Sequence, residues 1–533
     1  MNDSVELLNS ARFLFRSFVH LLLAAVLTLP VSVLLLGRYR AAIGRWMRMT
    51  PSGPPPLPSG PPPLPREEPP LAVRTVDLSA PFALSEAAKA LAGEARAGTR
   101  ALGAVYTAAG LLHATATVAI IAAVGHYSFT LQTLVGFWVI LAWPTAFIVG
   151  QIAIPSRRVR WLLPVVLLAV VAALSGRQFS LLVDLAALYV LPPLALIAAV
   201  TNRRFRTAGL FVFPGIFVVL TSTRHAWIEG GRFDTVAAAG AAFLSALAVL
   251  GLLRWFAWRY ERRRMSDVDL TLDLQWFLLT VWQGFCLTVH LGRLSALSLA
   301  PFVFYKLCVL IGRRFSRSPP AGNRQLLLLR TFGARHRSER LLDEMGVTWR
   351  WLGSIVLIGA PDVAGATIDP PKFLAFVTGR ARGLFVQDNA SLARRLEQLD
   401  RERDASGRYR INECYCLDRI WRLAVLRLAR DCAVVLMDLR AFSAQRAGCA
   451  DELQLLLDNV PLSRVVLLVD TTTRLDELAL VLEMADRRRA TDSPNGAASR
   501  VVDLVRISSG GPGAARRLVE RLCAAASQTG ARP

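Results

Sequence analysis

The chain has 533 residues, of which 53% are hydrophobic and only 19% are charged. Soluble globular domains carry about 25% charged residues, so this composition excludes an ordinary soluble enzyme as well as a disordered protein. It favours a membrane protein to which a water-soluble part is attached.

The formal net charge is +23, and arginine supplies almost all of it, because the only lysines are Lys89, Lys306 and Lys372. Such an excess of positive charge suits a nucleic acid or an anionic membrane surface. Much of the arginine lies in short loops between apolar segments, as the positive-inside rule describes. We therefore expect the lipid bilayer to be the partner, and we do not expect nucleic-acid binding.

The seven cysteines are scattered and odd in number, which argues against a disulfide framework. Cys414 and Cys416 supply at most half of a zinc site, and His336 is the only histidine after residue 311. The sequence therefore predicts no metal site. The cysteines from Cys414 onward fit a reducing compartment.

Nine apolar segments are candidate membrane spans, since about 20 mostly apolar residues cross a bilayer as a helix. The first segment is too long for a signal peptide and ends in arginines, so we interpret it as a retained anchor. In the last two, the stretch near Asp267, Asp269 and Asp273 could instead begin an interfacial helix. The segments cover residues 18–36, 101–124, 129–153, 161–175, 179–200, 207–222, 235–258, 276–291 and 294–311.

The loops between these segments alternate between rich and poor in arginine. We expect the rich set, and with it everything after residue 311, to be cytoplasmic. This predicts a multi-pass protein of the bacterial inner membrane with a cytoplasmic C-terminal domain. The rich loops hold Arg38, Arg40, Arg45, Arg48, Arg157, Arg158, Arg160, Arg203, Arg204, Arg206, Arg259, Arg262, Arg263, Arg264, Arg313, Arg314 and Arg317, against Arg177, Arg224, Arg232 and Arg293 in the poor loops.

Residues 49–100 join the first anchor and its basic flank, residues 1–48, to the polytopic region, residues 101–315. They open with a seven-residue unit written twice, PSGPPPLPSGPPPLP at 51–65, whose prolines favour an extended spacer. Docking of this strip into an aromatic groove is the alternative. The following ALSEAAKALAGEARAGTRAL predicts an alanine-rich helix that runs into the second span.

Few ionisable residues fall inside the candidate spans, and His113, Asp184 and His290 are among them. We interpret His113 as a hydrogen-bonded interior residue and the whole region as an anchor or sensor bundle. Transport is the alternative, because prolines interrupt the third and fifth spans and broken helices can line a transport site.

Residues 320–533 alternate short apolar runs with amphipathic stretches, which predicts an α/β domain with a parallel sheet covered on both faces. Five runs indicate strands, beginning near Gln325, Ser354, Asp431, Arg464 and Val501. This pattern is typical of a flavodoxin-like doubly wound sheet, whose ligand crevice lies at the carboxyl ends of the strands. The residues at those ends are Arg330, Thr331, Gly359, Asp362, Asp438, Arg440, Asp470 and Thr471.

Residues 433–457 carry a family resemblance. A strand is followed by a loop with Ser443 and then by a helix that opens with Cys449, Glu452 and Leu453 as Cys-x-x-Glu-Leu. This arrangement resembles the corresponding box of TIR domains, and the alternation of strands and helices over residues 324–528 agrees with a TIR-like fold. The resemblance implies that Glu452 is catalytic and that NAD is the substrate, with no certain cofactor.

The resemblance and the strand ends together make Arg330, Gly359, Asp438, Ser443 and Cys449 the candidate nucleotide-binding residues. A carboxylate beside the ribose stabilises the positive charge that builds up as the N-glycosidic bond to nicotinamide breaks. Complementing the dipole of its own helix is the alternative role for Glu452.

Three functions are therefore open. The first is a membrane-anchored signalling or defence effector whose TIR-like domain self-assembles, binds a nucleotide or cleaves NAD. The second is a non-catalytic membrane scaffold, and the third is a transporter with a regulatory cytoplasmic domain.

Overall fold

The computed structural model contains an α/β unit attached to one end of a set of apolar helices. The residues that the structure describes are 30, 33–43, 45–46, 71–78, 83–124, 130–153, 235–270, 272–273, 276–277, 279–280, 283–284, 297–315, 322–330, 335–359, 370–443, 447–496, 500–507 and 512–529.

The strands and helices of these residues are numbered in chain order. The strands are β1 (Ala72–Asp77), β2 (Leu326–Arg330), β3 (Ile355–Gly359), β4 (Phe385–Val386), β5 (Ile411–Cys416), β6 (Val434–Asp438), β7 (Val465–Val469) and β8 (Val501–Arg506). The helices are α1 (Glu86–Val124), α2 (Leu131–Ala153), α3 (Thr235–Glu261), α4 (Ala300–Phe315), α5 (Arg335–Trp349), α6 (Pro370–Val377), α7 (Asn389–Glu397), α8 (Asp418–Asp431), α9 (Ala447–Asn459), α10 (Leu475–Arg487) and α11 (Pro512–Thr529).

The described strands form one sheet in which every neighbouring pair is parallel, in the order β1-β8-β7-β6-β2-β3-β5-β4. All five predicted strands are present, and they follow the order β3-β2-β6-β7-β8, which is the flavodoxin-like order. The sheet has eight strands among the described residues, so the predicted number of five was too low. Strands β5 and β4 extend the sheet beyond β3, and β1 extends it beyond β8.

Helices cover both faces of the sheet, because alternate residues of a strand point to opposite sides. Leu326 and Leu328 pack with α1, α5 and α11 on one side. Leu327 and Leu329 pack with α8, α9 and α10 on the other. A strand buried on both faces has to be apolar throughout, which is why the uninterrupted leucine run of β2 lies at the centre of the sheet.

Strand β1 lies in the segment that was predicted to contain only a linker and a helix. It pairs in parallel with β8 along its whole length, and Arg74 donates a hydrogen bond to Asp503 at 2.7 Å, across 429 positions of sequence. The α/β unit therefore contains chain from both sides of the apolar region and is not confined to residues 320–533. A pairing this distant leaves no trace in local sequence patterns.

Helix α1 connects the α/β unit to the apolar helices without a break. Its 39 residues span about 58 Å at 1.5 Å per residue. The first half buries Ala88, Ala92 and Ala95 in the core of the α/β unit, and the helix also contacts α2 and α4. At Gly98 the helix approaches the α/β unit so closely that a Cβ would lie 2.5 Å from the ring of Trp351.

Two helices of the described residues are long and apolar enough to cross a bilayer, at Glu86–Ala123 and Ala239–Glu261. The expected bundle of nine spans is therefore not supported by this part of the chain. Helix α4 coincides with the last predicted span but has 16 residues, and α2 has a shorter apolar stretch at Leu131–Ala142. The predicted spans at 161–175, 179–200 and 207–222, most of 18–36 and the proline strip at 51–65 lie outside the described residues.

The C-terminal end of α3 is held by a Schellman motif. The N–H of Arg264 donates to the carbonyl of Arg259, and the N–H of Arg263 donates to Tyr260. Arg263 takes the left-handed position of this motif with φ 56°, where glycine is usual. Its guanidinium reaches Asp400 of the α/β unit at 2.7 Å, so the end of α3 is attached to that unit.

A second helix begins directly after this turn with a capping box. Ser266 and Asp269 exchange hydrogen bonds between side chain and backbone N–H at 2.9 and 3.0 Å. The same carboxylate accepts two hydrogen bonds from Arg313 of α4, at 2.6 and 2.9 Å, and one from Tyr106 of α1 at 3.1 Å. One aspartate thus joins three helices.

Helix α5 continues through Gly346 to Trp349. Met345 and Trp349 are buried in the core that covers β2. A glycine inside a helix costs about 1 kcal/mol, and the burial of these two side chains outweighs that cost.

We expect Gly98→Ala to lower the free energy of unfolding by about 1–3 kcal/mol, the range for overpacking, because the new methyl group overlaps the Trp351 ring. The matched control is Gly93→Ala in the same helix, where no atom lies within 4 Å of the new methyl group. The control should be neutral or stabilising by up to about 1 kcal/mol. Denaturant unfolding of the purified chain measures both changes in free energy. Equal changes in the two variants would contradict the close approach of α1 to Trp351.

Substitutions of Arg263 distinguish the contribution of its ion pairs to stability from the cost of its left-handed backbone conformation. Arg263→Ala and Arg263→Gly both remove the contacts with Asp400 and Glu402, but only glycine tolerates the left-handed conformation without strain. We expect the glycine variant to be more stable than the alanine variant by about 1 kcal/mol. Thermal unfolding of the two proteins measures the difference, and a more stable alanine variant would overturn the left-handed assignment.

Candidate functional site

The strand order reverses between β2 and β6. In doubly wound sheets the ligand binds in the crevice outside the carboxyl ends of such a strand pair. Arg330 ends β2 and Asp438 ends β6, and these two residues are neighbours across the ladder. The fold therefore brings together two of the residues that were predicted to bind a nucleotide.

Asp438 is engaged in a buried ion pair. Nε and Nη2 of Arg440 donate to its two carboxylate oxygens at 2.8 and 2.7 Å, and the Asp438 side chain is 1% exposed. Ala441 then adopts φ 59°, and Phe442 is buried in the core, so the chain turns sharply after β6. The bidentate geometry orients this turn, which makes Asp438 a structural residue at this edge of the sheet.

Gly359 ends β3 and lies against Tyr415 of the neighbouring strand. A Cβ on Gly359 would be 3.3 Å from the Tyr415 ring and 3.9 Å from Nη2 of Arg330. The Tyr415 hydroxyl donates to Glu413 at 2.7 Å, and Lys372 of α6 pairs with Glu413 at 2.9 Å. Burial, followed by the charge of Glu413, raises the pKa of Tyr415 above its ordinary value, so the hydroxyl remains a donor.

Sequence reasoning missed Lys372, Glu413 and Tyr415. Two of them lie on β5, whose INECYC sequence has polar residues where a fully buried strand would be apolar. Two signals were present: Lys372 is one of very few lysines in the chain, and β5 alternates its side chains with period 2. With Arg330, these residues form a net positive cluster at the ends of β2, β3 and β5, which suits a phosphate group.

Cys414 and Cys416 belong to the opposite face of β5. Their sulfur atoms are 3.5 Å apart, and both side chains are buried in an apolar cluster with Leu392 and Ile420. Among the described residues, no group of three or more His, Cys, Asp and Glu side chains is arranged to hold a metal ion. We interpret the two cysteines as apolar packing residues.

Glu452 lies on the face of α9 that points into the core. Cys449 and Leu453 share this face and are 1% and 2% exposed, and Glu452 itself is only 5% exposed. Within the described part of the chain, its Oε2 has no hydrogen-bond partner. Burial, and to a smaller extent the neighbouring Asp451, raises the pKa of Glu452 to about 8, so the carboxyl group is protonated at neutral pH.

Asp451, the neighbour of Glu452 in the chain, lies on the outer side of this helix. It is half-buried and pairs with Arg422 of α8 at 2.5 Å. The effect of the helix dipole falls off within the first turn, and the first turn of α9 contains no acidic residue. The protonated Glu452, in the second turn, therefore does not complement the dipole.

The predicted site residues thus fall into two groups. Arg330, Gly359 and Asp438 end adjacent strands at the carboxyl edge of the sheet. Cys449 and Glu452 lie in α9, which contacts α8 and α10. Ser443 is half-buried in the loop that leads from β6 to α9.

The interior of the apolar helices contains His113 of α1. It is fully buried, its Nε2 lies 2.9 Å from the hydroxyl of Thr280, and its ring packs beside Trp276 at 4.5 Å between centroids. This confirms His113 as a hydrogen-bonded interior residue. Asp184 and His290 lie outside the described residues.

Comparisons with known proteins return no match: no family model, no curated protein and no solved structure is significantly similar to the chain.

The raised pKa of Glu452 predicts a pH-dependent stability. The folded state retains a proton that the unfolded state releases above pH 4.5, so the free energy of unfolding falls as the pH rises from there to about 8. Glu452→Gln keeps the shape and removes the titration. We expect this variant to match the wild type below about pH 5 and to exceed it at about pH 9, by up to about 4 kcal/mol.

The matched control is Glu483→Gln, which makes the same chemical change on α10 at a side chain that is 53% exposed. Denaturant unfolding at several pH values measures all three proteins. The control should show the same pH dependence of stability as the wild type. If the difference in stability between Glu452→Gln and the wild type does not change with pH, the pKa of Glu452 is the same in the folded and unfolded states, which would contradict the prediction.

Proposed function

We propose that the chain is a membrane-anchored signalling or defence effector of the bacterial inner membrane, with a TIR-like, nucleotide-binding α/β unit on the cytoplasmic side. The observation that carries the proposal is the shared helix α1, which is packed into the core of the α/β unit and into the apolar helices. A displacement of α1 in the membrane would therefore move the helix layer that covers the sheet.

The surface of α3 supports the membrane part of the proposal. Phe243, Leu244 and Leu247 are 66%, 66% and 50% exposed, and the apolar stretch of this helix is not buried against the protein. A contiguous apolar surface of this kind is unfavourable in water and suited to a bilayer. Arginines follow at the end that is attached to the α/β unit, which supports a cytoplasmic position for that unit.

The strand ends support the nucleotide part. The flavodoxin-like order of β3-β2-β6-β7-β8 reverses between β2 and β6, and sheets of this kind bind ligands outside the carboxyl ends of such a strand pair. Arg330 ends β2 at this point, and Lys372 lies near the ring of Tyr415, at 5.9 Å from its centroid. A guanidinium and an ammonium group near one sheet edge suit the phosphates of a nucleotide.

Within this proposal NAD is the substrate and Glu452 is the catalytic residue. A buried polar atom without a partner costs about 1–3 kcal/mol, and groups with strongly shifted pKa values are concentrated at functional sites. A ribose hydroxyl would supply the hydrogen bond that Oε2 lacks within the described residues. Transfer of the Glu452 proton to water would then produce the carboxylate that stabilises the positive charge on the ribose. Nicotinamide would leave as a neutral molecule, and a water molecule would bond to the ribose C1′ and lose its proton to solvent.

A non-catalytic scaffold that assembles through the α/β unit is the second candidate. The observation that favours it is the position of Glu452 on one apolar face with Cys449 and Leu453, where a protonated carboxyl group can serve packing alone. The two functions differ in whether a nucleotide is consumed.

The decisive experiment uses the full chain reconstituted in lipid nanodiscs and measures the release of nicotinamide from NAD. We expect release by the wild type and by Glu483→Gln, and a loss of at least about 100-fold in Glu452→Gln, in the range seen when a group that stabilises developing charge is removed. Unfolding curves show whether each variant is folded. Absence of release by the wild type, with or without NAD binding in calorimetry, would contradict the catalytic proposal and favour the scaffold.

A further inference from the structure

The C-terminal end of α3 carries a cluster of arginines around an exposed tryptophan. The guanidinium of Arg262 lies 4.4 Å from the centroid of the Trp258 ring, and that of Arg264 lies 5.5 Å from it. Trp255, one turn earlier, has Arg259 over its ring at 5.0 Å. Two aromatic rings and several cations are thus concentrated where the apolar helix ends.

This cluster continues the apolar face of the helix. Leu247, Arg254, Trp258 and Arg262 follow one another at spacings of seven, four and four residues, so they lie on one face. Leu247 and Trp258 are 50% and 39% exposed, and both arginines are exposed. The face is therefore apolar along most of the helix and ends in a tryptophan with an arginine on either side of it, and both residue types are enriched where a helix leaves a bilayer on its cytoplasmic side.

Two of the exposed arginines of the cluster, Arg262 and Arg264, contact the ring of Trp258. No carboxylate of the described residues pairs with Arg254, Arg262 or Arg264. Their neighbours are different: Arg263 pairs with Asp400, and Glu261 pairs with Arg380 of the α/β unit. At this turn, Arg263 and Glu261 attach the α/β unit, while Arg262 and Arg264 are exposed.

We propose that Arg254, Arg262 and Arg264, arranged around Trp258, bind the phosphate of an anionic phospholipid headgroup in the leaflet next to the α/β unit. Guanidinium groups bind phosphate oxygens with paired hydrogen bonds, and cationic side chains near an anionic leaflet are attracted to it. Tryptophan is enriched at the level of the headgroups, where it would pack against the glycerol backbone. The site rests on the membrane part of the proposed function.

The position of the site gives the lipid an effect on the α/β unit. Arg262 and Arg264 flank Arg263, whose ion pairs hold the left-handed turn against that unit. A bound headgroup restrains the two flanking residues and therefore the turn between them. The attachment of the α/β unit would then be tighter in an anionic membrane.

The test is native mass spectrometry of the detergent-solubilised full chain titrated with phosphatidylglycerol or phosphatidylcholine. We expect selective retention of phosphatidylglycerol by the wild type, and an apparent affinity at least about tenfold weaker for Arg262→Gln/Arg264→Gln. Arg262→Lys/Arg264→Lys keeps the charge and should retain most of the selectivity. Arg487→Gln changes an arginine on α10 that is 76% exposed and should behave as the wild type.

The outcomes separate the lipid site from the membrane assignment. Equal retention of both lipids by the wild type, or unchanged selectivity in the double glutamine variant, would overturn the site. Competition by inorganic phosphate at the concentration of the lipid would overturn it in favour of a free-phosphate site. Recovery of the chain from cells without detergent would instead overturn the membrane proposal itself, whatever lipid the purified chain retains.

Discussion

The rest of the structure depends on the close contact between α1 and the α/β unit at Gly98. The Trp351 ring occupies the space that any other side chain at this position would need, and the same helix buries Tyr106 and Ala109 nearer to the apolar helices. An uninterrupted helix resists bending because each residue adds a hydrogen bond to the same ladder. The orientation of the sheet relative to the apolar helices is therefore set by one element that belongs to both.

Buried charges at the same junction make this orientation specific. Asp269 is 2% exposed and pairs with Arg313, and Asp267 pairs at 2.7 Å with Arg350, at the end of helix α5. Arg410 donates to the carbonyl of Met265 at 2.8 Å, so the turn after α3 is held from the side of the sheet. Breaking one such buried pair costs several kcal/mol because it leaves a charge unpaired. Alternative docking angles would break several pairs together.

Local sequence patterns predict some features of the candidate site and miss others. Arg330, Gly359 and Asp438 could be assigned to one sheet edge because the carboxyl ends of parallel strands meet there, and the structure confirms that arrangement. The ion pair between Asp438 and Arg440 could not be anticipated, since it depends on the conformation of the chain after β6, where Ala441 takes a left-handed conformation that is unusual for a residue other than glycine. The protonation of Glu452 likewise follows from the packing of α9 between two other helices, which its Cys-x-x-Glu-Leu sequence does not specify.

The sequence by itself determined the five central strands, the double covering of the sheet and the presence of long apolar helices. Apolar runs leave few choices, because they must be buried between two layers of helices or placed in a bilayer. Only the tertiary structure decided that β1 joins β8 and that β5 brings Tyr415 to Gly359. It also decided that Glu452 faces the core. Each of these outcomes depends on contacts between segments that are distant in the sequence. The free energy of such a contact depends on both segments, so the local pattern of either one does not predict it.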